Sequence, residues 1–180
     1  NADEVCNMVQ TNDGRVVRFV EAGNNHHAYT YDVDLMGGVE TGHNTSNDYL
    51  HKKQFGSGYD TSGNSAAVFP NGNILMVYAK AGDYNLQGRI FDKRLNIIKD
   101  EFQIWATSGG SEIVVNSRCV PLVDGRIMVI FDRGLLKLAD LKYIIINEDG
   151  AVDEGEQILV DLDNNTDIYP GQWDAPLLTN

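Results

Sequence analysis

The chain has 180 residues, 42% hydrophobic and 22% charged, a globular composition at a length that supports a substantial core. Its net charge of −12 and sequence pI near 4.5 exclude a nucleic-acid or anionic-membrane surface, which needs a basic face; the acidic excess suits solubility or the attraction of cations. No apolar run approaches the roughly 20 residues that cross a bilayer, and two cysteines, Cys6 and Cys119, make neither a disulfide scaffold nor a zinc cluster.

The chain opens NADEVCNMVQ, without a starting Met and with no basic, apolar leader, which reads as a processed chain or a piece of a longer one. The first patterned stretch is TNDGRVVRFVEAG (11–23). Asp-Gly followed by a Val-rich run predicts strand, turn and strand, and Asx-Gly suits a two-residue hairpin turn with both central residues at positive φ. The pattern returns as FPNGNILMVYAKAG (69–82) and LVDGRIMVIFDRG (122–134). Gly14, Gly72 and Gly125 stand 58 and 53 residues apart, a period that marks an array of similar units. Each hairpin is followed by a second β-rich run, AYTYDVD (28–34), QGRIFDK (87–93) and LKYIIINEDG (141–150). A fourth short strand comes next: HKKQFG (51–56), KDEFQIWA (99–106) and GEQILVDL (155–162), with Phe55, Phe102 and Ile158 in corresponding places. GLLKLADLKYI (134–144) has a helical look, but its place in the repeat predicts a strand.

The second strands, Val16–Val20, Ile74–Tyr78 and Ile127–Phe131, are nearly all apolar. Such runs belong to strands covered on both faces. The predicted fold is therefore all-β: a β-propeller-like array of four-stranded antiparallel units. The units span about 1–60, 61–112 and 113–170, and a fourth begins at 171–180. Asn180 stands where Asn71 and Asp124 stand, so the chain is expected to stop inside a fourth hairpin, as part of a longer protein. A β-sandwich is the alternative architecture; it needs no 55-residue repeat.

The middle unit resembles the repeats of large secreted or surface-attached bacterial proteins. Asn71-Gly72, then Gln87-Gly88-Arg89-Ile90-Phe91-Asp92, then Glu101-Phe102-Gln103-Ile104 carry the likeness, and Tyr31-Asp32 stands where Phe91-Asp92 does. In style these are similar to FG-GAP and integrin-type propeller repeats. The resemblance implies an extracellular array, secreted or at the cell surface, without implying a chemistry.

Candidate sites are few. In DLDNNTD, Asp161, Asp163, Asn165 and Asp167 alternate as calcium ligands do, and the stretch resembles FG-GAP calcium loops without their central glycine. Asx residues also build turns. His26 and His27, adjacent in NNHHAYTYD, read as a solvated loop. Tyr29, Tyr31, Tyr84, Trp105, Tyr169 and Trp173 fall in or beside expected loops, and Tyr84, Trp105, Tyr169 and Trp173 are the candidate sugar-stacking rings. Asn44 and Asn164 head N-glycosylation sequons. For the two cysteines, a bridge between Cys6 and Cys119 and two buried free thiols both remain open. No G-x-S-x-G, H-E-x-x-H or Asp-box pattern is present, and the acidic pairs Asp100/Glu101 and Asp153/Glu154 cannot be placed across a glycosidic bond from sequence alone.

The expected function is an extracellular binding or adhesion module, carbohydrate-binding through its loops, with calcium as cofactor. Its expected partners are glycans or surface proteins and the remaining blades. The alternatives are a glycoside-active propeller enzyme and a structural subunit of a surface assembly.

Overall fold

The computed structural model describes residues 4–22, 25–31, 51–57, 65–80, 85–106, 116–133 and 140–161. Among them are twelve strands and no helix. The first unit holds β1 (Glu4–Gln10), β2 (Val16–Ala22), β3 (Asn25–Tyr31) and β4 (His51–Ser57). The second holds β5 (Ser65–Val68), β6 (Ile74–Ala79), β7 (Leu86–Phe91) and β8 (Ile97–Trp105). The third holds β9 (Ser117–Pro121), β10 (Ile127–Arg133), β11 (Asp140–Ile146) and β12 (Val152–Asp161). Each unit is one antiparallel meander in chain order. The first strands of successive units are neighbours, β1 against β5 and β5 against β9. They form the inside of a propeller-like array, and the fourth strands form its rim.

The apolar second strand of the middle unit is buried because a neighbouring unit covers each of its faces. All six residues of β6 are buried. Ile74, Met76 and Tyr78 pack with Val17 and Phe19 of the first unit. Leu75, Val77 and Ala79 face the other way, onto Ile127, Val129 and Phe131 of the third. Phe19 meets Phe91 across the first interface with ring centroids 6.2 Å apart.

The hairpin turns differ from the two-residue form expected. In the second unit Phe69 N donates to Asn73 O at 2.8 Å and Gly72 N to Phe69 O at 2.9 Å, so three residues form the loop. Gly72 alone has positive φ, +86°, while Asn71 does not. This is a turn followed by one left-handed residue, the three-residue hairpin connection. The same two bonds recur at Thr11–Arg15 and Leu122–Arg126, and again between third and fourth strands at Asp92–Asn96 and Asn147–Ala151. Asx side chains support these turns from within: Asn71 Oδ1 accepts from Asn73 N at 2.9 Å, and Asp92 Oδ1 accepts from Arg94 N at 2.8 Å and Asn96 N at 2.9 Å. Burial alone would raise the Asp92 carboxyl, but bonds from the Asn96 side chain and from the Asn96 and Arg94 amides outweigh it and hold it below the usual range. A depressed folded-state value means that this support is present above about pH 4 and fades as pH falls through the folded value.

Strand register also revises two correspondences. Phe102 lies opposite Gly88, but the matching position in the third unit, Tyr143, lies opposite Gln157, and Ile158 opposes Lys142. Phe55 opposes His26, which matches Trp105 opposite Leu86. Bulges in the fourth strands shift the alignment by one or more residues. Gly88 is a glycine because a Cβ there would lie 2.7 Å from the Phe102 ring. His26 and His27 belong to β3, not to a loop.

At the left-handed position of the third-to-fourth-strand turn, the third unit has Gly150 (φ +76°) and the second has Leu95 (φ +64°). Left-handed backbone costs a side-chain-bearing residue about 1–2 kcal/mol. Leu95 is nevertheless 1% exposed, packed in the cluster shared by the first two units, and burying a leucine contributes about 1.5–3 kcal/mol. Burial wins. Leu95→Gly should therefore destabilise the protein by about 1 kcal/mol and Leu95→Ala by about 2–3 kcal/mol, because alanine keeps the strain and loses the packing. Urea unfolding would measure both; an alanine variant as stable as the glycine variant would contradict this account.

Candidate functional site

Meander topology puts the first-to-second and third-to-fourth connections at one end of each sheet and the remaining connections at the other. At the turn end the connections are short in units two and three, and residues 32–50 make the corresponding connection in unit one. The opposite end, where β6, β8 and β10 finish, carries Lys80, Trp105, Asn116 and Asp132, with Glu101, Lys142 and Glu156 further along their strands.

On the second unit's face toward the first, Glu101 sits between three strands. Tyr78 Oη donates to Glu101 Oε2 at 2.9 Å, and Lys80 Nζ to Oε1 at 2.7 Å. The buried Arg89 guanidinium lies 3.8 Å from Glu101 and 3.1 Å from Asp100. The acidic pair Asp100/Glu101 is thus held by two cations and a phenol. Asp153 and Glu154 are held likewise by Arg126, at 2.5 and 3.2 Å. Asp132 is wholly buried and accepts from Asn116 N at 2.9 Å and Asn116 Nδ2 at 3.2 Å. This closes the chain onto the start of β9.

Trp105 is the last residue of β8 and only 8% exposed. Expected beside a loop as a sugar-stacking ring, it instead packs 5.3 Å from the Phe131 ring, centroid to centroid. Its indole Nε1 donates to Glu156, which also accepts from Lys142. An apolar third-unit face next to it draws the ring inward. Sequence reading did not single out Lys142 and Glu156; a charged residue in the apolar run LKYIII was the available signal.

The other candidates divide simply. Asp161 ends β12 opposite Asp140. Asp163, Asn165, Asp167, Tyr84, Tyr169, Trp173, Asn44 and Asn164 lie outside the described residues. Among the described residues no group of three or more His, Cys, Asp or Glu side chains is arranged to hold a metal ion. Cys119 carries a free thiol. Burial pushes it up to about 12, against a hydrogen bond with Ser65 and the nearby Arg118 charge, so it is no nucleophile at neutral pH.

No protein-family model matches the sequence, and no curated protein matches it. Solved structures do match. One is an exo-β-1,3-galactanase from Phanerochaete chrysosporium with β-1,3-galactotriose: 13% identity, TM-score 0.52, covering 84% of this chain and 34% of that one. Another is a GH43 β-1,3-galactosidase with galactodeoxynojirimycin: 9% identity, TM-score 0.51, covering 90% of this chain and 48% of that one. At such identities the likeness is one of fold, and it supports the propeller-like architecture. The chain spans about a third to a half of the length of these neighbours.

The Glu101 network is structural on this geometry. Glu101→Gln would remove the charge that Lys80 pairs with at 2.7 Å, while Arg89 keeps Asp100, and should cost about 1–3 kcal/mol. Tyr78→Phe should cost less in that background than alone, a coupling that a double-mutant cycle by thermal unfolding would read.

Proposed function

We propose that this chain supplies blades of a carbohydrate-active β-propeller, secreted or at the cell surface, that acts on glycosides. The observation that carries the proposal is the shared arrangement of four-stranded units over 84% and 90% of the chain with two structures whose names specify β-1,3-galactose chemistry. β-1,3-linked galactosides are therefore the substrates to try first. The connections at the end of the sheets opposite the tight turns are the natural place for such a site, since binding groups concentrate on loops set on a rigid scaffold. Tyr84, Tyr169 and Trp173 are the proposed stacking rings, and Asp161, Asp163, Asn165 and Asp167 a proposed calcium loop that would order that end.

A second reading is a glycan-binding module without turnover, in the style of FG-GAP adhesion repeats. It is favoured by the carboxylates of Asp100, Glu101, Asp132, Asp153, Glu154 and Glu156, which are all engaged by amides or cations and so are poorly placed to act as acid and base.

Further units of the same kind are part of the proposal. Ile104 of the second unit is 6% exposed under the third, whereas Leu159 at the same place in the third unit is 43% exposed. Pro70 rests against Gly125 of the next unit, and Val123, its counterpart, is 95% exposed.

Galactose release from β-1,3-galactotriose tests the first reading, and binding of the same sugar by calorimetry tests the second. Release is expected. Binding without release would move the conclusion to the second reading, and neither release nor binding would remove both.

A further inference from the structure

Asn-Gly occurs once in the sequence, at Asn71-Gly72. The other three Asx-Gly turns carry Asp13, Asp124 and Asp149. Asn-Gly is the dipeptide most prone to spontaneous deamidation, because no side chain shields the following amide. The Gly72 nitrogen attacks Asn71 Cγ, the Cγ–Nδ2 bond breaks and ammonia leaves, giving a cyclic succinimide. Water then opens the ring at one carbonyl or the other. The balance is one water in and one ammonia out, and the product is aspartate or isoaspartate.

We infer that Asn71 is a deamidation site that the folded hairpin holds shut. Asn71 is exposed, so water and base reach it. Both reacting groups, however, are engaged elsewhere. Gly72 N donates to Phe69 O at 2.9 Å, and Asn71 Oδ1 accepts from Asn73 N at 2.9 Å, which fixes the side-chain amide toward residue 73. Attack requires the Gly72 N–H to leave the Phe69 carbonyl, the bond that closes the turn. Opening of the hairpin therefore gates the reaction.

The two products have opposite consequences. Aspartate suits the turn: Asp124 Oδ1 accepts from Arg126 N at 3.1 Å and Asp149 Oδ1 from Ala151 N at 2.8 Å, the bond Asn71 already makes. The shallow depression beside Asn71 is lined by Lys93 and Arg94 and by one carboxylate, Asp92, so two cations face the new charge against one anion. Isoaspartate adds one atom to the main chain inside a loop fixed by the Phe69–Asn73 bond. It would displace Pro70, whose carbonyl accepts from Asn12 Nδ2 at 3.0 Å in the first unit and whose ring sits against Gly125 of the third. One chemical event would then loosen both interfaces of the middle unit at their turn ends.

The test is to age the intact chain, folded and in denaturant, at one mildly alkaline pH and to follow residue 71 by peptide mass mapping. Conversion in denaturant, and conversion at least about tenfold slower in the folded protein, is expected. Equal rates, or no conversion in denaturant, would overturn the inference. Asn71→Asp should melt within about 2 °C of the parent, and aged material enriched in isoaspartate should melt earlier; a destabilised Asn71→Asp, or isoaspartate without effect, would refute the assignment of the two products.

Discussion

Burial of the middle unit's second strand on both faces is the constraint from which the rest of this structure follows. A four-stranded meander cannot cover its own faces, so β6 is dry only because units lie on either side of it. That requirement removes the alternation of apolar and polar residues expected of a half-wet sheet. It also fixes the order of the array, since even and odd positions of one strand belong to different interfaces: Met76 goes with Phe19, Val77 with Val129. The middle unit, with neighbours on both sides, is accordingly the one in which every part of the repeat pattern is occupied.

The pattern that marks the repeat is a folding pattern. Gly88 makes room for the Phe102 ring. Asp92 caps the turn that follows β7, and Glu101 ties three strands together through Tyr78, Lys80 and Arg89. Each of these residue types looks chemically useful in a sequence, and each is engaged in holding one sheet. This is why a likeness carried by such residues speaks to architecture and is silent on substrate.

Much of the architecture was legible from the sequence because hydrophobic runs and turn glycines are local signals. Gly14, Gly72 and Gly125 announced the period, and all three take positive φ. What local signals could not supply was register and direction. Asn71-Gly72 is compatible with either a two-residue or a three-residue loop, and the pair itself does not decide which forms. Phe102 and Ile158 look equivalent on paper, but bulges in β8 and β12 displace one against the other. Trp105 shows the same limit in another form. A tryptophan at a strand end can face solvent or a neighbour, and only the presence of Phe131 and Glu156 on the next unit settles its place. The candidate site was the least legible part, because its proposed rings and calcium ligands fall in connections whose position no periodicity fixes.

The two ends of the sheets are built on different physical terms, and this bears on where chemistry can reside. At the turn end of the second and third units, three-residue loops satisfy their own amides, and Asn12 of the first unit, Pro70 and Lys99 of β8 link them to neighbours; Lys99 Nζ donates to the Asp149 and Gly150 carbonyls at 3.0 Å. Little backbone is left there to meet a ligand. At the other end, the buried Asp132 holds the start of β9, and the part-exposed Glu101 and Glu156 tie neighbouring strands to one another, so that the strands stop at anchored posts. Loops leaving anchored posts can change sequence without disturbing the sheets. A scaffold with these features keeps its fold at 9% to 13% identity with its structural neighbours while the groups that read a substrate are free to differ.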